Sequence, residues 1–486
     1  MQGRLSPPAH PHSPSLPEGL VTFLLVLPWV HPWAPSPQAN TVPLLISWAS
    51  LALLMLLGQL PSALALARAW AIAAVLSSLM GLVQYFGQAA HLGGWVHVPA
   101  YLGDAVGNLR QRNQLATLTT LGAVAVLWWQ AQGLRAGLAL PMLAVLAMGN
   151  AATGSRTGLL QWLALPVLLW LWQRCNARRP WAWPAVWGAL GTFVLASALL
   201  PRLLALASGG QVSAALSRLG DVTGCGARSV LWRNVLHLIG QQPWSGWGWG
   251  ELKYAHYITD YPGERFCDIL GNAHNLPLHL AVELGLPVAL AACLALLALL
   301  WRARPWRLRQ DSDSLAWGVL MAVGLHSLLE YPLWYGPFQL ATLWAVLLLW
   351  PAARGWLRRQ RPMVSGAAAG LLCLTALIGY DYQRVRQIFL PPAQRLVQWQ
   401  ADPWGAAQKT WFFRSTVDFA ELTSTEVSPQ NAEALLAASQ TVLHYSPEPR
   451  VVKRLIESAE LLGQKDLAQW HRQQLGKVYG QEAGKD

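Results

Sequence analysis

The stretch GNAHNLPLHLAVELG has residue types and spacing that could support acid–base chemistry. Its polar residues Asn272, His274 and Asn275 lead into a long apolar segment, and His279 and Glu283 follow four residues apart on one face of the predicted helix. Ionisable groups at membrane depth are costly and usually line a functional cavity, and a histidine can exchange a proton near neutral pH. A helix cap beside a buried hydrogen-bonded pair is the structural alternative, and this stretch alone does not decide between the two.

Five arginines lie in short polar segments between apolar runs. GNLRQRN carries Arg110 and Arg112, TGSRTG carries Arg156 at the tip of a tight turn, and RSVLWRN carries Arg228 and Arg233. A guanidinium is always charged and its planar fork of donors fits phosphate oxygens, so such groups at a membrane surface could hold a diphosphate. Attraction to lipid headgroups and capping of helix-end carbonyls are the alternatives.

A carboxylate and a tyrosine come near the end of another apolar segment, in HSLLEYPLWY. His326 and Glu330 lie four residues apart, Tyr331 follows, and Pro332 breaks the helix. Glu330 could pair with one of the arginines or orient a histidine, and a simple structural salt bridge is the alternative.

Aromatic and amide side chains near these groups could orient a sugar or an acceptor. Glycines alternate with tryptophans in PWSGWGWG, which predicts a bend that exposes aromatic faces. Such faces stack on sugar rings or sit in the interfacial belt of the membrane. The candidates for an orienting role are Asn113, Asn275, Trp232 and Trp247.

The elements that must hold these residues are membrane-spanning helices. Of the 486 residues, 54% are apolar and 12% are charged, and several apolar runs reach the ~20 residues that cross a bilayer as a helix. The sequence therefore predicts an all-α polytopic membrane protein with about eleven spans. Their approximate limits are 19–34, 42–60, 65–87, 113–130, 138–153, 157–173, 182–206, 273–300, 314–334, 337–353 and 363–383.

Arginines between the spans predict the orientation in the membrane. With a cytoplasmic N-terminus, every compact basic cluster falls in a cytoplasmic loop, as the positive-inside rule demands. These clusters are Arg68; Arg135; Arg174, Arg178 and Arg179; Arg302, Arg304, Arg307 and Arg309; and Arg354, Arg358, Arg359 and Arg361. The segments with Arg110, Arg112, Arg156, Arg228 and Arg233 then face outward. A large outer loop, residues 207–272, joins spans seven and eight. The net charge of +12 is thus a topology signal and not a sign of nucleic-acid binding.

Two cysteines, Cys225 and Cys267, lie in this outer loop. Both the compartment and the count allow a disulfide, which would close a loop of about forty residues and contribute roughly 3–4 kcal/mol. The histidines and carboxylates show no metal-binding spacing, and no nucleotide-binding or GxSxG motif has a fitting context.

Composition divides the chain into three regions. Residues 1–18 are rich in proline and histidine and predict a disordered cytoplasmic N-terminus, residues 19–383 form the membrane domain, and residues 384–486 form a small helical domain outside. In the tail, residues 429–444 and 447–477 predict amphipathic helices that begin at Ser428-Pro429 and Ser446-Pro447. Their pattern is tetratricopeptide-like but too short to stand alone, so we expect the tail to dock on the outer face and to bind a protein or brace a loop.

The joint order of these motifs resembles the O-antigen ligase and polymerase-like superfamily. GNLRQRN, SRTG, RSVLWRN, QPWSGWGWG, NAHN with a following ELG, and HSLLEYPLWY occur in this order. The NAHN and EYPLWY segments with the exported helical tail resemble the PglL-type bacterial O-oligosaccharyltransferases in particular. The resemblance implies a GT-C-type helical membrane fold and metal-independent, cofactor-free transfer of a glycan from undecaprenyl diphosphate. The transfer would invert the anomeric carbon and take place on the periplasmic side of the inner membrane.

The resemblance also suggests roles for single residues. The family's loop histidine matches His274, which is the expected general base, and its tyrosine after the glutamate matches Tyr331. Tyr331 or Glu330 would orient the base or the acceptor, while fixed guanidinium groups would stabilise the leaving diphosphate. The phosphate-binding arginines are best matched by Arg112, Arg156 and Arg228, with Arg110 and Arg233 as further candidates.

Several acceptors are compatible with this resemblance. The exported tail favours the Ser or Thr hydroxyl of a periplasmic protein such as a pilin. A lipopolysaccharide O-antigen ligase would use the lipid A–core as acceptor, and an O-antigen polymerase would use another lipid-linked glycan. A transporter of lipid-linked sugars, from a different class, predicts internal repeats and paired discontinuous helices, which the sequence does not show.

Overall fold

The computed structural model describes residues 18–176, 181–208 and 225–480, and within these ranges the chain forms helices and turns without a β-strand. The predicted N-terminal region, residues 1–18, lies almost wholly outside the described residues, as do Arg178, Arg179 and part of the predicted outer loop. The helices of the first half are α1 Glu18–Val30, α2 Thr41–Leu56, α3 Ala63–Tyr85, α4 Arg112–Ala131, α5 Ala136–Thr153, α6 Arg156–Cys175, α7 Trp183–Ala207, α8 Arg228–Gln241 and α9 Leu252–Ile258. Those of the second half are α10 Leu276–Leu284, α11 Leu286–Ala303, α12 Asp311–Ser327, α13 Gly336–Leu349, α14 Pro351–Arg359, α15 Arg361–Arg386, α16 Val397–Gln400, α17 Pro403–Gln408, α18 Arg414–Ser424, α19 Ala432–Tyr445, α20 Pro449–Leu461 and α21 Lys465–Tyr479.

The prediction of an all-helical polytopic membrane protein is confirmed, whereas the number of spans is not. Each of the eleven predicted segments contains a helix. Within the described ranges, five helical segments are long and apolar enough to cross a membrane, and the bent pair α13 and α14, with 99° between its halves, would make a sixth. The five are Ala63–Tyr85, Ala136–Thr153, Trp183–Ala207, Leu276–Ala303 and Arg361–Phe389. Eleven spans therefore stay a prediction.

Helix α4 shows why hydropathy alone misses a segment of the bundle. It packs against α3, α5, α6 and α12, and most of its side chains are buried, including several polar ones. The Thr117 hydroxyl accepts a hydrogen bond of 2.9 Å from the Gln161 amide, which also donates to the Ala322 carbonyl at 2.8 Å. The Asn150 amide donates to the Thr119 hydroxyl at 2.7 Å. Polar groups that are satisfied between helices can replace apolar ones at the centre of a bundle.

The segment from residue 225 to the start of α10 forms a small core of its own. The apolar positions of α8 that recur at helical spacing are buried against α9 and α10, among them Val230, Leu231, Val235 and Leu238. The structure joins Cys225 and Cys267 in a disulfide, with 5.3 Å between their Cα atoms. The disulfide fixes the entry into α8 beside the loop that precedes α10.

The tail helices α19, α20 and α21 pack in sequence and contact the segment around α9. Tyr257 and His471 are hydrogen-bonded at 2.9 Å, and Lys477 pairs with Asp260 at 2.8 Å. The helices begin slightly later than Ser428-Pro429 and Ser446-Pro447 predict, because α19 begins at Ala432 and α20 at Pro449. Asn431 is the reason at α19, since its side-chain oxygen accepts from the Ser428 amide at 2.7 Å and holds residues 428–431 in a turn.

Candidate functional site

The Glu330 carboxylate joins three segments that are far apart in the sequence. It lies beyond the end of α12 and is only 7% exposed. Its Oε2 is 2.8 Å from Nδ1 of His274, in the loop before α10. Its Oε1 accepts from the Arg228 guanidinium, at the first position of α8, and from the Asn113 amide of α4 at 2.9 Å. One carboxylate thus positions a histidine on one side and an arginine on the other.

The loop that carries His274 is fixed by its two asparagines. The His274 amide donates to Oδ1 of Asn272 at 2.9 Å, and Oδ1 of Asn275 caps α10 by accepting from the Leu278 amide at 3.0 Å. His274 has a φ of +51°, which is unusual for a residue with a side chain. Such strain persists only where the surroundings determine it and is frequent at functional sites. The helix cap, at Asn275, and the strained residue, His274, are thus adjacent in this loop.

Charge and burial determine the protonation of this group. The Glu330 carboxylate is buried, and the hydrogen bond from His274 and the guanidinium of Arg228 stabilise its ionised form. An ionised carboxylate can only accept, so Nδ1 of His274 donates in this hydrogen bond, and in the neutral ring Nε2 is then an acceptor. The ring of Tyr331 contacts the His274 ring edge-on, with 5.0 Å between the two centroids. The Tyr331 hydroxyl is a further group beside the histidine that can donate a hydrogen bond.

Asn113 connects this group to the start of α6. Its Oδ1 accepts from the Ser155 hydroxyl at 2.6 Å, and Ser155 caps α6 by accepting from the Gly158 amide at 3.0 Å. A Cβ at Gly158 would lie 2.7 Å from Cβ of Ala116, so the glycine lets α6 approach α4 closely. Arg156, at the first position of α6, is placed by this packing.

Four of the five predicted arginines line one polar cleft of about 570 Å³: Arg110, Arg112, Arg156 and Arg228. Asp104 also lines the cleft and pairs with Arg112 at 2.7 Å. The lining therefore carries a net positive charge, which favours an anionic ligand. Because Arg228 contacts Glu330, the cleft lies next to the His274 group.

The arginines are not equivalent. Arg110 adopts a φ of +61°, and its two terminal nitrogens donate to the carbonyls of Pro32 and Ala34, each at 2.9 Å, which gives it a bracing role after α1. Arg233 is exposed and donates to the Ser229 carbonyl at 3.3 Å, and it is not among the described residues that line the cleft. Arg112 and Arg228 differ from both, because each pairs with a carboxylate at the cleft, Asp104 and Glu330 respectively.

An apolar groove of about 310 Å³ shares part of its wall with this cleft. Arg112, Gly154, Ser155 and Arg156 line both. The rest of the groove is mainly apolar and is formed by α5, α6 and α7, with Leu159, Phe193, Val194, Ala196, Leu200 and Pro201 in its lining. A ligand with a charged head and a long apolar chain would fit the pair of cavities.

Known families match the regions that carry these residues. The family described as protein glycosylation ligase matches residues 105–129, the family described as O-antigen ligase matches residues 141–293, and the C-terminal region of the virulence factor membrane-bound polymerases matches residues 314–486. Taken together, these matches make the chain similar to the O-antigen ligase and polymerase-like superfamily and support a glycosyltransferase of the PglL type. A general O-oligosaccharyltransferase of Acinetobacter baylyi (strain ATCC 33305 / BD413 / ADP1) is 26% identical over 282 residues, which are 55% of this chain and 47% of that protein. The alignment thus spans about half of the length of this relative.

Each superfamily match contributes residues to the site. The protein glycosylation ligase match contains Arg112 and Asn113, and the O-antigen ligase match contains Arg156, Arg228 and His274. Glu330 and Tyr331 lie in the polymerase match. The candidate site is therefore assembled from all three matched regions.

Both tryptophans that were predicted to orient a sugar or an acceptor donate hydrogen bonds to backbone carbonyls. The Trp232 indole donates to the Ala273 carbonyl at 3.1 Å, and the Trp247 indole donates to the Leu238 carbonyl at 3.0 Å. Both rings are half-buried and pack on the core of the α8 segment. The exposed aromatic faces predicted for PWSGWGWG are those of Trp244 and Trp249.

Sequence reasoning also missed two polar residues of the site. Asp104 pairs with Arg112, and Ser155 joins Asn113 to α6. A serine just before the first turn of a helix is a signal for Ser155, whereas nothing local distinguishes Asp104. Among the described residues, no group of three or more histidine, cysteine or acidic side chains could hold a metal ion.

Proposed function

We propose that this chain is a protein O-oligosaccharyltransferase. It moves a glycan from undecaprenyl diphosphate to a Ser or Thr hydroxyl of a periplasmic acceptor protein such as a pilin, at the periplasmic face of the inner membrane. The observation that carries the proposal is the basic cleft of Arg112, Arg156 and Arg228 beside the His274–Glu330 pair. A phosphate-binding cleft and a base at one point are what glycosyl transfer from a diphosphate needs.

His274 acts as the general base in this proposal. Glu330 holds the Nδ1 proton, so Nε2 accepts the proton of the acceptor hydroxyl as its oxygen bonds to the anomeric carbon. The bond between that carbon and the diphosphate oxygen breaks on the opposite face, with inversion. A positioned base of this kind typically contributes ~10²–10⁴ in rate. Tyr331, in contact with the histidine ring, positions the base or the acceptor.

The arginines stabilise the leaving group. Negative charge builds on the diphosphate oxygens as the bond breaks, and fixed guanidinium groups neutralise it without a metal ion. Arg228 also binds Glu330, so that charge in the cleft and the position of the base are linked. The polyprenyl chain lies in the apolar groove between α5, α6 and α7, which begins at Arg112 and Arg156.

The acceptor class rests on a different observation. The match to the protein glycosylation ligases covers residues 105–129, which include Arg112 and Asn113, and the Acinetobacter baylyi relative is named a general O-oligosaccharyltransferase. Both favour a protein acceptor. An O-antigen polymerase is the second candidate, because residues 314–486 match the polymerase C-terminal region. A lipid A–core acceptor would use the same donor chemistry.

The deciding experiment is the intact mass of a candidate pilin in cells that supply a lipid-linked glycan. We expect a glycan-sized gain with the wild-type chain and none with His274→Ala at equal membrane abundance. Growth of glycan chains without a protein product would favour the polymerase, and glycan on lipid A–core would favour the ligase. A gain that persists in the variant would overturn the role of His274.

A further inference from the structure

A row of aromatic rings leads away from His274, and none of its members lines the arginine cleft. We call His274, Tyr331, Trp334 and Trp249 the aromatic row. Neighbouring ring centroids lie 5.0 Å, 6.4 Å and 6.3 Å apart along it, and the rings of Trp334 and Trp249 are nearly parallel, at 13°. His279 packs against the last two rings, 5.2 Å from Trp334 and 6.0 Å from Trp249. The buried His279 of α10 thus holds the two tryptophan rings of the row in place.

Trp249 is exposed although its loop is held firmly. Its side chain is 63% exposed. The loop is clamped on the C-terminal end of α10, because the Trp247 amide donates to the Val282 carbonyl and the Gly248 amide to the Glu283 carbonyl, each at 2.9 Å. The loop approaches so closely that a Cβ at Gly246 would lie 2.4 Å from the Glu283 carbonyl. A large apolar ring kept in solvent on a rigid loop is typical of a binding surface.

The loop that carries Trp249 presents an aromatic face and few free backbone groups that could form hydrogen bonds with a ligand. Peptide ligands are usually held by main-chain hydrogen bonds or by a groove for a helix. Here the amides of Trp247 and Gly248 are already bound to α10. An electron-rich ring face attracts the C–H groups of a pyranose, whose hydroxyls stay in water. The chemistry therefore fits a saccharide better than a peptide.

We propose that Trp249 and Trp334 form a stacking subsite for sugar units of the donor glycan beyond the one that is attached to the diphosphate. This inference rests on the proposed function. The first sugar must lie between the arginine cleft and His274, and Trp249 is three ring-to-ring steps further on. The subsite would therefore bind only donors with a long glycan and would make no contact with the diphosphate.

The test compares two donors with the full-length chain in lipid nanodiscs. One donor is undecaprenyl diphosphate with a single sugar, and the other is the full-length lipid-linked glycan extracted from cells that produce the chain. For Trp249→Ala we expect kcat/KM for the long donor to fall by about threefold to tenfold, since one aromatic contact is worth roughly that factor. For the short donor kcat/KM should change by less than about twofold, because this donor does not reach the Trp249 ring. Trp249→Phe should restore most of the long-donor rate.

Trp244→Ala is the matched control. Trp244 lies in the same loop and is 80% exposed. The described ring contacts of the aromatic row do not include Trp244. Trp244→Ala should leave kcat/KM for both donors unchanged. If the two tryptophans only formed part of an interfacial belt, Trp244→Ala and Trp249→Ala would have the same effect. Equal losses for both donors in Trp249→Ala, no loss for either, or a rise in KM for the acceptor alone would each overturn the inference.

A second readout separates this inference from the proposed function. The glycan released from the long donor by mild acid is added to the nanodiscs, and saturation-transfer NMR follows its sugar protons. Signal transfer that is lost in Trp249→Ala and kept in Trp244→Ala supports the subsite. If the wild type transfers from neither donor, the proposed function fails, and this binding measurement still decides the subsite. No transfer of signal in the wild type would overturn it.

Discussion

At the scale of single residues, Glu330 is the group on which the others depend. It contacts His274, Arg228 and Asn113, which come from three separate parts of the chain. Burying a carboxylate is costly unless it is paired, and here both oxygens have partners. Its charge orients the histidine proton and balances one arginine of the cleft.

Glu330→Gln tests this role with little change of shape. The amide cannot hold the Nδ1 proton of His274 as a carboxylate does, and it leaves Arg228 without its counter-charge. We expect transfer to fall by about 10²–10⁴, the usual range for loss of a positioned base. The measurement is the turnover of purified protein at equal folded amount. Glu448→Gln, a carboxylate in the tail that pairs with Arg450, is the control. Turnover near the wild-type level in Glu330→Gln would refute the dependence.

At the scale of elements, close approach of α4 and α6 places the cleft. Ser155 starts α6 and binds Asn113 of α4, and Gly158 allows the contact one turn later. The same packing puts Arg156 at the mouth of both cavities. The SRTG turn thus has two roles, because it allows the close packing of α4 and α6 and also supplies one arginine of the cleft.

Gly158→Ala should push the two helices apart. The new Cβ would lie 2.6 Å from Oδ1 of Asn150 and 2.7 Å from Cβ of Ala116, and overpacking of this kind costs about 1–3 kcal/mol. We expect a lower thermal midpoint and reduced transfer. Gly188→Ala in α7 is the matched control, since its Cβ would meet nothing within 4 Å and alanine favours a helix. Equal midpoints for the two variants would contradict the packing argument.

At the scale of the whole molecule, the tail is fastened to the α9 segment through a buried histidine, His471, which binds Tyr257. Within the α9 segment a second buried histidine, His256, binds Tyr261 and the Phe266 carbonyl. Burial lowers the pKa of both to about 4, and the nearby Arg265 adds to the effect at His256. Both histidines are therefore neutral in the docked state.

The docking should weaken in acid. A histidine whose pKa is lower in the folded state contributes stability above its unfolded pKa of about 6.5, and this is lost as the pH falls toward 4. By pH 5.5 we expect protonation of His471 to weaken the docking by about 1 kcal/mol. Hydrogen exchange of α19–α21 at pH 7.5 and 5.5 measures this loss, with the buried helix α4 as internal reference. Protection of the tail that is unchanged between the two pH values would exclude the effect.

Local pattern determined the helices and the kinds of residue at the site, and only the tertiary structure decided their partners. Apolar runs and turn residues predict a helix in each of the eleven segments, because these signals depend on neighbours along the chain. Asn113 and Glu330 are 217 residues apart, so no local signal could pair them. The same holds for Arg110, which braces the segment after α1, for Arg233, which does not line the cleft, and for Trp249, which is exposed where Trp247 is half-buried. Residue type states what a group can bind, whereas packing decides whether it is buried, occupied or free to reach a substrate.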